Sequence, residues 1–90
     1  MATYLVERYL PGITLAQLVA AAGRAASATT EMSDEGRPIR YVRSAFLPTE
    51  ESVFCLFEGP DEDSVREAND RAGVPFDRVL EVIVLEGGSP

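Results

Sequence analysis

Residues 52–85 constrain the fold of this chain more than any other stretch. Ser52 to Glu58 (SVFCLFE) is nearly continuous in apolar residues, which suits a central strand. Gly59-Pro60 closes it. Asp61 then offers an N-cap, and Glu62 and Asp63 place negative charge at the positive end of a helix dipole. Val65, Ala68 and Ala72 form a narrow apolar stripe, while Glu62 with Arg66 and Glu67 with Arg71 are acid-before-base pairs four apart. Gly73 suits a left-handed C-terminal residue, and Pro75 prevents continuation. Arg78 to Leu85 (RVLEVIVL) follows as another strand.

The first half repeats the pattern. Thr3 to Tyr9 (TYLVERY) alternates as a two-faced strand and stops at Pro11-Gly12. Thr14 opens a helix, with Gln17 placed to complete a capping box. Leu15, Leu18, Val19, Ala22, Ala25 and Ala26 supply its expected apolar stripe, and fraying is expected around Thr29 to Ser33. A polar loop, Glu31 to Pro38, leads to a strand over Ile39 to Leu47. Pro48 to Glu51 reads as a hairpin turn. The order β-α-β-β-α-β with right-handed crossovers predicts an α+β, ferredoxin-like sandwich: a four-stranded antiparallel sheet in order 4-1-3-2, with both helices on one face. Residues 1–86 are expected to form this single domain and 87–90 a flexible tail.

Alternation divides the strand residues into two sets. Tyr4, Val6, Val42, Ser44, Phe46, Val53, Cys55, Phe57, Leu80, Val82 and Val84 are expected beneath the helices. The opposite face then carries Glu7, Arg43, Glu58 and Glu81 among Tyr9, Tyr41, Phe54, Leu56 and Ile83. An apolar patch of that breadth points to a partner, and two such sheets packed face to face make a homodimer. The alternative is that the charged edge residues are solvated and the aromatics covered by the loop or the tail. A slip of one residue exchanges the two sets.

With 90 residues the core is small, so self-association is a natural way to bury more surface. The formal charge of −7 argues against nucleic acid and anionic membranes as partners. One cysteine forms no internal disulfide, there is no leader-like segment, and no apolar run spans a bilayer, so the expected location is cytoplasmic.

Histidine is absent, which removes the usual neutral-pH base and the commonest transition-metal ligand. Cys55, between Phe54 and Leu56, reads as a small buried hydrophobe rather than a nucleophile. Glu7, Glu58 and Glu81 have two open readings: an acid/base or oxygen-donor metal site, or salt bridging to arginine at a dimer seam. The leading expectation is a non-catalytic module holding a small molecule or a cation near Glu7, Tyr9, Tyr41, Arg43, Glu58 and Glu81. The alternatives are a cofactor-independent dimeric α+β barrel enzyme, of monooxygenase or isomerase type, and a purely structural interaction domain.

Val6-Glu7-Arg8 with Pro11-Gly12, Val42-Arg43-Ser44, Phe54 through Pro60, Val65-Arg66-Glu67-Ala68, Arg71 through Pro75, and Asp77-Arg78-Val79 through Glu81-Val82 together carry a resemblance. In these motifs the chain resembles a bacterial family of small proteins with a domain of unknown function, some of whose members are called nickel-binding proteins. The resemblance covers nearly the whole chain and implies a ferredoxin-like fold, often as a dimer. Metal-binding relatives rely on histidine, so the resemblance transfers no nickel ligand to any position here and no cofactor is expected.

Overall fold

The computed structural model describes residues 1–88. Its elements run β1 (Ala2–Tyr9), α1 (Leu15–Asp34), β2 (Arg40–Leu47), β3 (Ser52–Gly59), α2 (Glu62–Ala72) and β4 (Arg78–Val82). The strands form one antiparallel sheet in the order β2-β3-β1-β4, the expected arrangement read from the other edge. Both helices pack on one face, against a core that includes Val6, Val53, Phe57, Met32 and Val65. Burying each of these large side chains contributes about 1.5–3 kcal/mol relative to exposure.

The helix ends follow their local chemistry. Thr14 accepts from the Gln17 amide at 3.1 Å while the Gln17 side chain accepts from the Thr14 amide at 3.0 Å, completing the capping box. Asp61 accepts from the Ser64 amide at 2.8 Å, and Gly73 closes α2 at φ 67°.

The buried stripe of α1 departs from expectation. Ala21, Ala25, Ala28, Thr29 and Met32 face the core, whereas Leu15 and Val19 are exposed. The helix runs unfrayed through Thr29 to Asp34, because Met32 is fully buried there and supplies bulk that the alanines lack. The predicted tail, 87–90, lies partly outside the described residues.

Two strands differ from simple alternation. On β2 a bulge at Val42 separates the pairs Tyr41↔Phe57 and Arg43↔Leu56. An extra residue there changes the parity of the strand. Tyr41 therefore turns inward with Ser44 and Phe46, while Arg40 joins Arg43 on the open face. Without the bulge, Arg40 would project beneath the helices as an uncompensated cation.

On β4 the whole face assignment is exchanged. Val79 pairs with Val6 in the core, Leu80 with Leu5 on the open face, and Glu81 with Tyr4 on the helix side. The register is held by the Asp77 amide donating to the Glu7 carbonyl at 2.8 Å and by the Tyr9 amide donating to the Asp77 carboxylate at 2.7 Å. The strand ends at Val82, opposite Thr3, so the expected continuation to Leu85 runs past the end of β1.

Candidate functional site

The open face of the sheet is a set of side-chain rows fixed by register. The middle row reads Arg43, Leu56, Leu5 and Leu80 across β2, β3, β1 and β4. One row reads Arg40, Glu58, Thr3 and Val82; on the other side lie Ala45, Phe54, Glu7 and Arg78. The result is a leucine band with ionic groups at opposite corners. Arg40 bonds Glu58 at 2.6 Å, and Arg78 bonds Glu7. The arginine beside Glu7 in turn has its own pKa raised, chiefly by that hydrogen bond. Among the described residues Arg43 makes no ion pair.

This placement separates the residues expected to form a site. Glu7, Tyr9, Arg43 and Glu58 lie on the open face. Tyr41 does not: its ring sits 5.3 Å from that of Phe57 at a tilt of 50°, inside the core, because of the Val42 bulge. Glu81 does not either, since the β4 register turns it toward the helix side, where it is exposed. The three carboxylates Glu7, Glu58 and Glu81 are thus not side by side. Glu58 stands opposite Thr3, four residues along β1 from Glu7, roughly 13 Å away. Each of the two open-face glutamates instead pairs with an arginine of the same chain. Among the described residues no three His, Cys, Asp or Glu side chains are grouped to hold a metal ion.

Beneath α1 lies a second, internal cluster. The hydroxyls of Tyr41 and Ser44 are 2.5 Å apart, and Ser44 donates to the Cys55 sulfur at 2.9 Å. These groups share a small cavity with Arg8 and the alanines of α1. Its volume of about 10 Å³ is room for roughly one water, too little for an organic substrate.

Arg8 is 3% exposed and, among the described residues, has no carboxylate partner. Its guanidinium donates to Asn69 Oδ1 at 2.8 Å and to the carbonyls of Pro75 and Val74 at 3.3 and 3.5 Å. Neutral oxygens on α2 and in the segment just after it thereby take the place of a counter-ion. Alternation carried the signal for this residue, because Arg8 has the parity of Tyr4 and Val6; its charge obscured it.

The family description "Nickel responsive protein SCO4226-like" matches residues 4–82. Among solved structures, the crystal structure of SCO4226 from Streptomyces coelicolor A3(2) superposes with a TM-score of 0.71 at 24% identity, covering 94% of this chain and all of that one. That likeness is one of fold. No curated protein sequence matches the chain. With the family match running from β1 to the end of β4, the chain belongs to the SCO4226-like family of nickel responsive proteins.

Proposed function

We propose that this chain is a non-catalytic binding module that pairs with a second copy through the open sheet face and holds a small polar ligand or a cation at the seam. One observation carries the reading: the band of Leu5, Leu56 and Leu80, flanked by Phe54 and Val82, lies on the sheet face that no helix covers. Charge supports a second copy as the occupant. The open face carries Arg40, Arg43 and Arg78 against Glu7 and Glu58, a balance of +1 on a chain of −7. Two copies of an acidic protein repel least where each presents that face. Within the pair, Glu7, Tyr9, Arg43 and Glu58 would line the seam.

Nickel has no place in this reading despite the family's description. The chain has no histidine, Cys55 is buried and hydrogen-bonded to Ser44, and the open-face glutamates are separated and engaged by arginines. Nickel favours imidazole among the protein's nitrogen donors, and that donor is missing.

Sedimentation of the full chain over a range of concentrations tests the proposal. A reversible dimer is expected, and Leu56→Arg should give a monomer with an unchanged far-UV circular dichroism spectrum. A wild-type chain that stays monomeric into the millimolar range overturns it.

A further inference from the structure

Arg8 and the cluster of Tyr41, Ser44 and Cys55 border one internal cavity, and the charge around it is not balanced. Val74 ties the two groups together: its carbonyl accepts from the Arg8 guanidinium, and it lines the same cavity as the cluster. Neutral oxygens stand in for a counter-ion at Arg8, yet none of them brings a negative charge. Among the described residues no carboxylate borders the cavity either. Arginine cannot shed its proton to escape the cost of burial, and buried charges are as a rule paired with an opposite one.

The protons of the cluster favour the same sign of guest. Ser44 directs its only hydroxyl proton to the Cys55 sulfur, so Tyr41 is the donor in the 2.5 Å contact with Ser44. The thiol proton of Cys55 is then left without an acceptor inside the cluster. A water placed beside it would bring two more protons to a wall already rich in donors; an anion would bring none.

We propose that this cavity is a site for one monoatomic anion, chloride, which completes the charge balance of Arg8. Size selects the ion. The volume of about 10 Å³ is room for roughly one water. A chloride ion is little larger, whereas phosphate, sulfate and carboxylates do not enter. Leu18, Ala21 and Ala25 form the apolar part of the wall, where charges attract more strongly than at the surface. The site belongs to the single chain and stands whether or not the open sheet face pairs.

Melting curves of the full chain at constant ionic strength, with sodium chloride replacing sodium gluconate, test it. Chloride should raise the melting temperature by about 5–10 °C at ten times its dissociation constant, and from there in proportion to the logarithm of its concentration. Arg8→Met keeps much of the bulk but removes the charge, and should abolish the dependence on chloride. Equal melting temperatures in chloride and gluconate overturn the site, and so does a chloride dependence that Arg8→Met retains in full. If Arg8→Met does not fold, wild-type crystals grown from sodium bromide decide the matter. An anomalous peak in the cavity beside Val74 supports the anion, and density for water alone overturns it.

Discussion

At the scale of single residues, the sharpest energetic statement concerns a cation in the core. A buried guanidinium is costly unless its donors are satisfied. Here they are met by neutral oxygens, and Asn69 is pivotal because it works in both directions. Its carbonyl accepts from Arg8 at 2.8 Å, while its amide donates to the Val65 carbonyl at 2.8 Å. Asn69 itself is fully buried. Asn69→Ala should therefore destabilise the fold by about 1.5–3 kcal/mol, the range for hydrogen bonds to charged groups, measured by urea unfolding. A loss below half a kcal/mol would mean that water or the Pro75 carbonyl replaces the lost acceptor. Donor chemistry gives a second expectation at this scale. Because histidine is absent and no described group of Cys, Asp and Glu is arranged around a common point, excess Ni²⁺ should leave the melting temperature unchanged. A rise that scales with the logarithm of nickel concentration would show a site assembled some other way, between copies for instance.

Among the elements, α2 is the one whose limits were most legible, and the reason is local. Its N-cap, first-turn acids and terminal glycine each act through backbone geometry that does not depend on the rest of the fold. Gly73 shows this directly: at φ 67° an L side chain is strained, yet a Cβ there would meet nothing within 4 Å. Gly73→Ala should thus cost about 1–2 kcal/mol from conformation alone, with no repacking, seen as a lowered urea midpoint at constant slope. β3 was equally readable, since one of its faces is uniformly apolar, and β1 was readable as far as Arg8, whose charge interrupts the face that Tyr4 and Val6 share. β4 was not. Val79, Leu80, Val82, Ile83 and Val84 make both of its faces apolar, so alternation cannot choose between them, and tertiary contacts through Asp77 decide. β2 failed differently. Its alternation was real on either side of Val42, but a one-residue bulge joins two segments of opposite parity, and nothing in Tyr41-Val42-Arg43 announces it. The candidate site inherits these two errors: Glu7, Tyr9, Arg43 and Glu58 came from strands or segments read in the right phase, Tyr41 and Glu81 from those read in the wrong one. The stripe of α1 is ambiguous in the sequence because alanine is compatible with either face; Leu15 and Val19 suggest one stripe, and only the more distant Met32 marks the one that is buried.

For the whole molecule, the two helices and the loop after α1 are joined by an ionic network whose consequence is a dependence on pH. Arg71 bonds Glu31, Glu35 and Glu67 at 2.5–2.8 Å, and Arg37 bonds Glu67 at 2.5 Å. The Arg71 hydrogen bond holds the Glu35 carboxyl below the usual range, and those from Arg37 and Arg71 do the same for Glu67. The Ser64 amide lowers Asp61 in the same sense. Groups whose pKa falls on folding bind fewer protons in the native state, so the stability they contribute is complete above the ordinary carboxylate range, near pH 4, and is lost as pH falls through the lowered native values. Acid has an opposite effect too, because protonation relieves the repulsion within a chain of −7. The network should win. Repulsion among dispersed surface charges is screened over about 8 Å at physiological ionic strength, whereas hydrogen-bonded contacts shorter than 3 Å are screened far less. The melting temperature is therefore expected to be flat from neutral pH to about pH 5 and to fall below about pH 4. Glu67→Gln, which keeps the side chain but removes its titration, should lower the neutral-pH plateau and make the acid decline shallower. Repeating both curves in molar salt separates the two effects: salt should remove the opposing relief of repulsion, so a wild-type decline that persists or steepens there but stays shallow in Glu67→Gln assigns it to the clasp between the helices, and one that disappears overturns that assignment.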